Sequence, residues 1–109
     1  MKVLFDQGTP APLRHALINH QVETAYERAW SSLQNGALIA AAEADHFEVF
    51  VTTDRNLKYQ QNLTNRTIAV VVLLSTSWPR LQTVLTLIVD AVDSASPGSY
   101  VEVSVQRAA

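Results

Sequence analysis

Phe47-Glu48-Val49-Phe50-Val51-Thr52-Thr53-Asp54-Arg55-Asn56-Leu57-Lys58-Tyr59-Gln60-Gln61-Asn62 reads as a buried β-strand that stops on an aspartate and opens into a polar loop. Aromatic and β-branched side chains fill its first half, as a pleated, covered surface requires. Asp, Asn and Gln take over where strand gives way to turn. The chain opens in a similar way: Lys2-Val3-Leu4-Phe5 is a short apolar run closed by Asp6. In a parallel sheet, strands that end on Asp6 and Asp54 deliver both carboxylates to one rim, where open α/β folds bind ligands. Paired carboxylates there make a hard-oxygen site suited to Mg²⁺ or Mn²⁺.

Outward from these two strands the pattern alternates. Thr9-Pro10 predicts a helix start, with Leu13, Ala16 and Leu17 as its apolar face and its end near His20. Val22 to Ala25 is a weak second strand, followed by an irregular stretch through Trp30 and Ser32. Asn35 suits the N-cap of a helix running through Leu38 and Ile39 to about Asp45. The strand from Glu48 to Thr53 follows, and Thr67 to Leu74 is a β-branched run that marks a central strand covered on both faces. Ser77 and Pro79 open one helix whose residues Leu81, Val84, Leu85, Ile88, Val89 and Val92 fall at i, i+3, i+4, i+7, i+8 and i+11. Pro97-Gly98 turns the chain into a last strand, Tyr100 to Ser104, and residues 105–109 read as a frayed tail. Such alternation predicts βαβ units, right-handed crossovers and a single three-layer αβα domain over residues 1–109, with a mainly parallel sheet of about five strands.

The 109 residues suffice for a buried core, and a 48% hydrophobic, 17% charged composition is that of a globular domain. Cysteine is absent, which excludes disulfides and thiolate metal sites. No basic-then-apolar leader opens the sequence and no apolar run is long enough to cross a bilayer, so a cytoplasmic domain with no membrane role is expected. A net charge of −2 provides no basic stripe for nucleic acid, although Arg55, Lys58, Arg66 and Arg80 could gather near Asp54. His15 and His20, five residues apart, stand about 140° apart round a helix and form no metal pair. His20 and His46 each suit a helix C-terminus, and Trp30 and Trp78 read as packing residues.

Three segments together resemble a PIN-like family of small bacterial proteins related to the PIN-domain ribonucleases of toxin–antitoxin systems. They are Met1-Lys2-Val3-Leu4-Phe5-Asp6, Trp30-Ser31-Ser32-Leu33-Gln34-Asn35-Gly36, and Thr53-Asp54-Arg55-Asn56 with Gln60-Gln61-Asn62. The resemblance extends to about Glu102, and the last segment is its most specific part. It implies a divalent-metal-dependent ribonuclease in which rim acids hold Mg²⁺ or Mn²⁺ and the metal activates water to cut RNA. It places Asp6 on the first family acid and Asp54 on the acid that closes the third strand, as metal ligands and catalytic residues. Asn35, Arg55, Asn56, Gln60 and Gln61 become candidate contacts to an RNA substrate. A cognate antitoxin and a homodimer are the partners it implies. Gln7 stands where many relatives carry glutamate, Asn35 and Ala37 where the second helix usually offers an acid, and Asn56 where a further acid often follows. Glu43 lies too far round and along that helix to substitute. Two carboxylates imply weak metal affinity, completed by substrate phosphate.

Two alternatives compete. One is a PIN-like binding module for RNA or protein without catalysis, motivated by Gln7, Ala37 and Asn56. The other is a phospho-receiver-like domain, which also ends its third strand on an aspartate but requires an acid at Gln7 and a lysine after its last strand.

Overall fold

The structure is a computed structural model that describes residues 1–60, 63 and 66–105, apart from the side chains of Tyr59 and Gln60. Five strands form it: β1 (Lys2–Phe5), β2 (Gln21–Thr24), β3 (Val49–Thr52), β4 (Ala69–Leu73) and β5 (Tyr100–Val103). Every pairing is parallel, in the order β2-β1-β3-β4-β5. The register sets Leu4 beside Phe50, Phe50 beside Val70 and Phe5 beside Val51. Alternate strand residues therefore feed two cores. On one face Val3, Phe5, Val49, Val51 and Val71 pack with Leu13, Leu17, Ile88 and Val92. On the other, Leu4, Phe50, Val70 and Val72 pack with Leu38, Ile39, Ala42 and Leu57. Full burial of each such side chain contributes roughly 1.5–3 kcal/mol. Three αβα layers result.

The connections refine the expected elements. Thr9-Pro10 leads into a 3₁₀ helix, Ala11–Ala16, rather than an α-helix. Helix α1 (Asn35–Ala44) supplies Leu38, Ile39 and Ala42 to its core, and His46 beyond it takes a left-handed φ of 64°. The segment expected as a polar loop contains a helical turn, α2 (Leu57–Gln60), because Leu57 is fully buried and pulls it inward. The helix expected from Ser77 onward is two: α3 (Trp78–Gln82) and α4 (Leu85–Asp93). The break falls at Thr83, whose hydroxyl donates to the Arg80 carbonyl at 2.6 Å and competes with the helical ladder. Leu81, Val84, Ile88 and Val92 still face one core, so the apolar spacing survives the break. Trp30 and Trp78 are partly buried against the two cores, as packing residues should be. Residues 106–109 of the expected tail lie outside the described residues.

The crossovers do not all share one hand. The β1–β2 connection steps one way across the sheet and packs on the first face. The β2–β3 and β3–β4 connections step the other way and pack on the second. Those three agree in hand. The β4–β5 connection steps with the latter two but packs α3 and α4 on the first face, so its hand is opposite. One connection thus departs from the single hand expected of parallel crossovers. The strand order is that of flavodoxin-like sheets, to which receiver domains conform. A uniformly handed sheet of that kind would carry α3 and α4 beside α1, and this one does not.

In this order the chain leaves β1 and β3 toward opposite sides, which makes their C-terminal ends the topological switch point. Asp6 and Asp54 follow those two strands.

Candidate metal and nucleic-acid site

Thr52, fully buried as the last residue of β3, is the centre of the site. Its hydroxyl donates to Asp6 Oδ2 at 2.5 Å and accepts from the Asp54 backbone N–H at 3.1 Å. Asp6 Oδ1 accepts from the Thr9 hydroxyl at 2.6 Å and the Thr9 N–H at 3.0 Å, closing the turn after β1. Asp54 Oδ1 accepts from the Asn56 N–H at 2.9 Å, an Asx turn, and Oδ2 accepts from the Asn35 amide at 2.6 Å. The result is a continuous chain from Asp6 through Thr52 and Asp54 to Asn35. Among the described residues neither carboxylate has an ion pair, so only neutral donors balance two anionic groups.

Asn35 is not the N-cap expected of it. Gln34 takes that position, and Asn35, the first helical residue, commits its amide to Asp54 instead. Asn56 contributes its backbone, while its residue is exposed. Gln61 lies outside the described residues, as does the side chain of Gln60. Thr9 and Thr52 were not foreseen as site residues. Their one signal was position, a hydroxyl two residues before Asp54 and three after Asp6.

Two cavities flank the acids. One, about 200 Å³, is lined by Asp6, Gln7, Gly8, Trp30, Asn35 and Leu38. The other, about 400 Å³, lies on the β4 side, where Thr53, Arg55, Ser75, Thr76 and Arg80 line it. A Cβ at Gly8 would stand 2.5 Å from Thr53 Oγ1, so that side chain would have to move.

The cations divide. Arg55 and Arg80 line the cavity that Thr53 also lines, with Arg55 donating to the Leu74 carbonyl at 2.6 Å. Lys58 pairs with Glu102 at 3.2 Å. Arg66 goes to the opposite rim, 2.6 Å from Glu43. There a cavity of about 410 Å³ includes Met1, Glu43, His46, Glu48 and Thr67. Burial works to raise the Glu43 pKa, but bonds from Arg66 and from the Thr67 and Ile68 N–H groups hold it below its ordinary value. Glu43 is therefore spent on structure at the wrong rim to join the acids. His20 does not sit at a helix end either: its ring lies 3.1 Å from the Met1 amino group and 2.5 Å from Asp93.

Asp6 and Asp54 are, among the described residues, the acids that follow the strand ends at the switch point. Among the described residues no group of three or more His, Cys, Asp or Glu side chains could hold a metal ion. No helix among them is long and apolar enough to cross a membrane. No protein-family model matches the chain, and no curated protein or solved structure matches it.

Proposed function

We propose that the chain is a divalent-metal-dependent endoribonuclease of PIN-like type, working in the cytoplasm, with Asp6 and Asp54 as its metal-holding acids. The observation that carries this reading is the linking of the Asp6 carboxylate to the Asp54 backbone through Thr52 at the switch point, with no ion pair to either carboxylate among the described residues. The donor set suits one hard cation. Asp6 Oδ2 and both Asp54 oxygens accept one hydrogen bond each and retain a further lone pair, and substrate phosphate and water would complete the shell. Two ions do not fit two acids. When bound, a divalent ion polarises a phosphate and acidifies water. The chain's own part is positional: Thr9 and Thr52 fix the Asp6 carboxylate, and Asn35 and the Asn56 N–H fix that of Asp54. An antitoxin partner and a homodimer rest on the resemblance alone.

Titration with Mn²⁺ followed by cleavage of single-stranded RNA tests the proposal. Asp54→Asn should abolish both metal binding and cleavage; equal activity in that variant would remove Asp54 from the mechanism. One observation favours a second reading, a binding module without catalysis: every oxygen of both carboxylates already accepts a bond from the chain. No Mn²⁺ isotherm at millimolar concentration, with RNA binding retained, would select it.

A further inference from the structure

The cavity beside β4 contrasts with the others at the two rims. Asp6 lines the smaller one next to it, and Glu43 and Glu48 line the one at the opposite rim. This cavity has two guanidinium-bearing residues, three hydroxyl residues and no acid in its lining. We propose that it binds a backbone phosphate of single-stranded RNA, next along the strand from the phosphate at Asp6 and Asp54. The placing next to those acids rests on the ribonuclease reading; the affinity for phosphate does not.

The donors are prepared for an anion. Arg80 is exposed, and its side chain has no hydrogen-bond or ion-pair partner among the described residues. Its backbone is fixed by the Ser77 hydroxyl, which accepts from the Arg80 N–H at 3.4 Å. Arg55 donates one N–H to the Leu74 carbonyl, which orients the guanidinium and leaves further donors of its planar fork. Ser75 Oγ accepts from the Ser77 N–H at 3.0 Å, which leaves its own proton to donate outward. Glu102 is the nearby counter-charge. Lys58 and the Tyr100 hydroxyl hold it at 3.2 and 3.0 Å and keep its pKa low, with Arg55 a smaller influence. Arginine forks and hydroxyls are the usual donors to phosphate oxygens. Thr53 lines the cavity and Asp54 follows it in sequence, so cationic and acidic halves of the rim adjoin. That juxtaposition suits a polyanion whose neighbouring phosphates meet different partners.

Binding is measured in EDTA, which removes the metal site from the experiment. The probes are a fluorescent oligouridylate read by anisotropy and inorganic phosphate read by amide chemical shifts. Phosphate should shift the amides of Thr53, Ser75 and Thr76. Arg80→Gln should weaken oligouridylate binding about tenfold and lower the salt slope by about 0.7. Arg80→Lys, which retains the charge, should recover the slope. Unchanged affinity and slope in Arg80→Gln, or phosphate shifts confined to other parts of the chain, would overturn the proposal. A failed Mn²⁺ titration with these effects intact would sink the ribonuclease reading and leave the phosphate pocket standing.

Discussion

Replacing Thr52 with valine removes one hydroxyl and keeps the shape of the side chain. That hydroxyl makes two bonds, one to the anionic Asp6 and one from the Asp54 N–H. A hydrogen bond to a charged group contributes about 1.5–3 kcal/mol and a neutral one about 0.5–1.5. Asp6 is half-buried at the rim, so water replaces part of what is lost, and the expected destabilisation is about 2 kcal/mol. Urea unfolding reads it as a lower midpoint at unchanged slope. Thr52→Ser retains the hydroxyl and should lose only about 1 kcal/mol, the contribution of a buried methyl. If valine proves as stable as threonine, or serine falls as far as valine, the hydroxyl is not what ties the acids together. The same valine variant should bind Mn²⁺ less tightly than wild type, because the Asp6 carboxylate loses its orientation.

Gly8→Ala should cost about 1–2 kcal/mol, since the new Cβ meets Thr53 Oγ1 at 2.5 Å. Thr53→Ala in the same chain should recover most of it, and additive losses would refute the clash. Leu57→Ala should cost about 2–5 kcal/mol, the usual range for a fully buried leucine; a loss below 1 would show that α2 does not anchor the turn after Asp54. Glu43, whose pKa is held below the ordinary 4.5, gives a pH signature. A depressed folded-state value stabilises fully above about 4.5, and that stability is lost as pH falls through the folded value. The gap in urea midpoint between wild type and Glu43→Gln should therefore shrink below about pH 4.5, and a constant gap down to about pH 3 would contradict the assignment.

The sheet was legible in the sequence because five apolar runs, each of strand length and separated by turn residues, left few other arrangements. The meeting of Asp6 and Asp54 followed from parallel strands alone. Asn35 was misread because a cap and a tertiary contact use the same amide at a helix start, and only the neighbouring strand end decides between them. Thr52 was hidden for a similar reason: threonine is an ordinary strand residue until its hydroxyl finds a partner 46 positions away. The split between α3 and α4 leaves the apolar spacing intact, so periodicity could not reveal it. The separation of the cations was also invisible, as Arg66 faces Glu43 only through packing of α1 against the start of β4.

The acidic half of the rim and most of its cationic half belong to different stretches of chain, with Thr53 and Arg55 at the junction. Asp6, Asn35, Thr52 and Asp54 are complete once β1, α1 and β3 have come together. Ser75, Thr76 and Arg80 follow only after β4. Arg55 stands next to Asp54 in sequence, whereas Arg80 follows only after β4. The acids and one arginine are thus a property of the first fifty-odd residues, and the second arginine arrives only after the strand that carries the sheet past its midpoint.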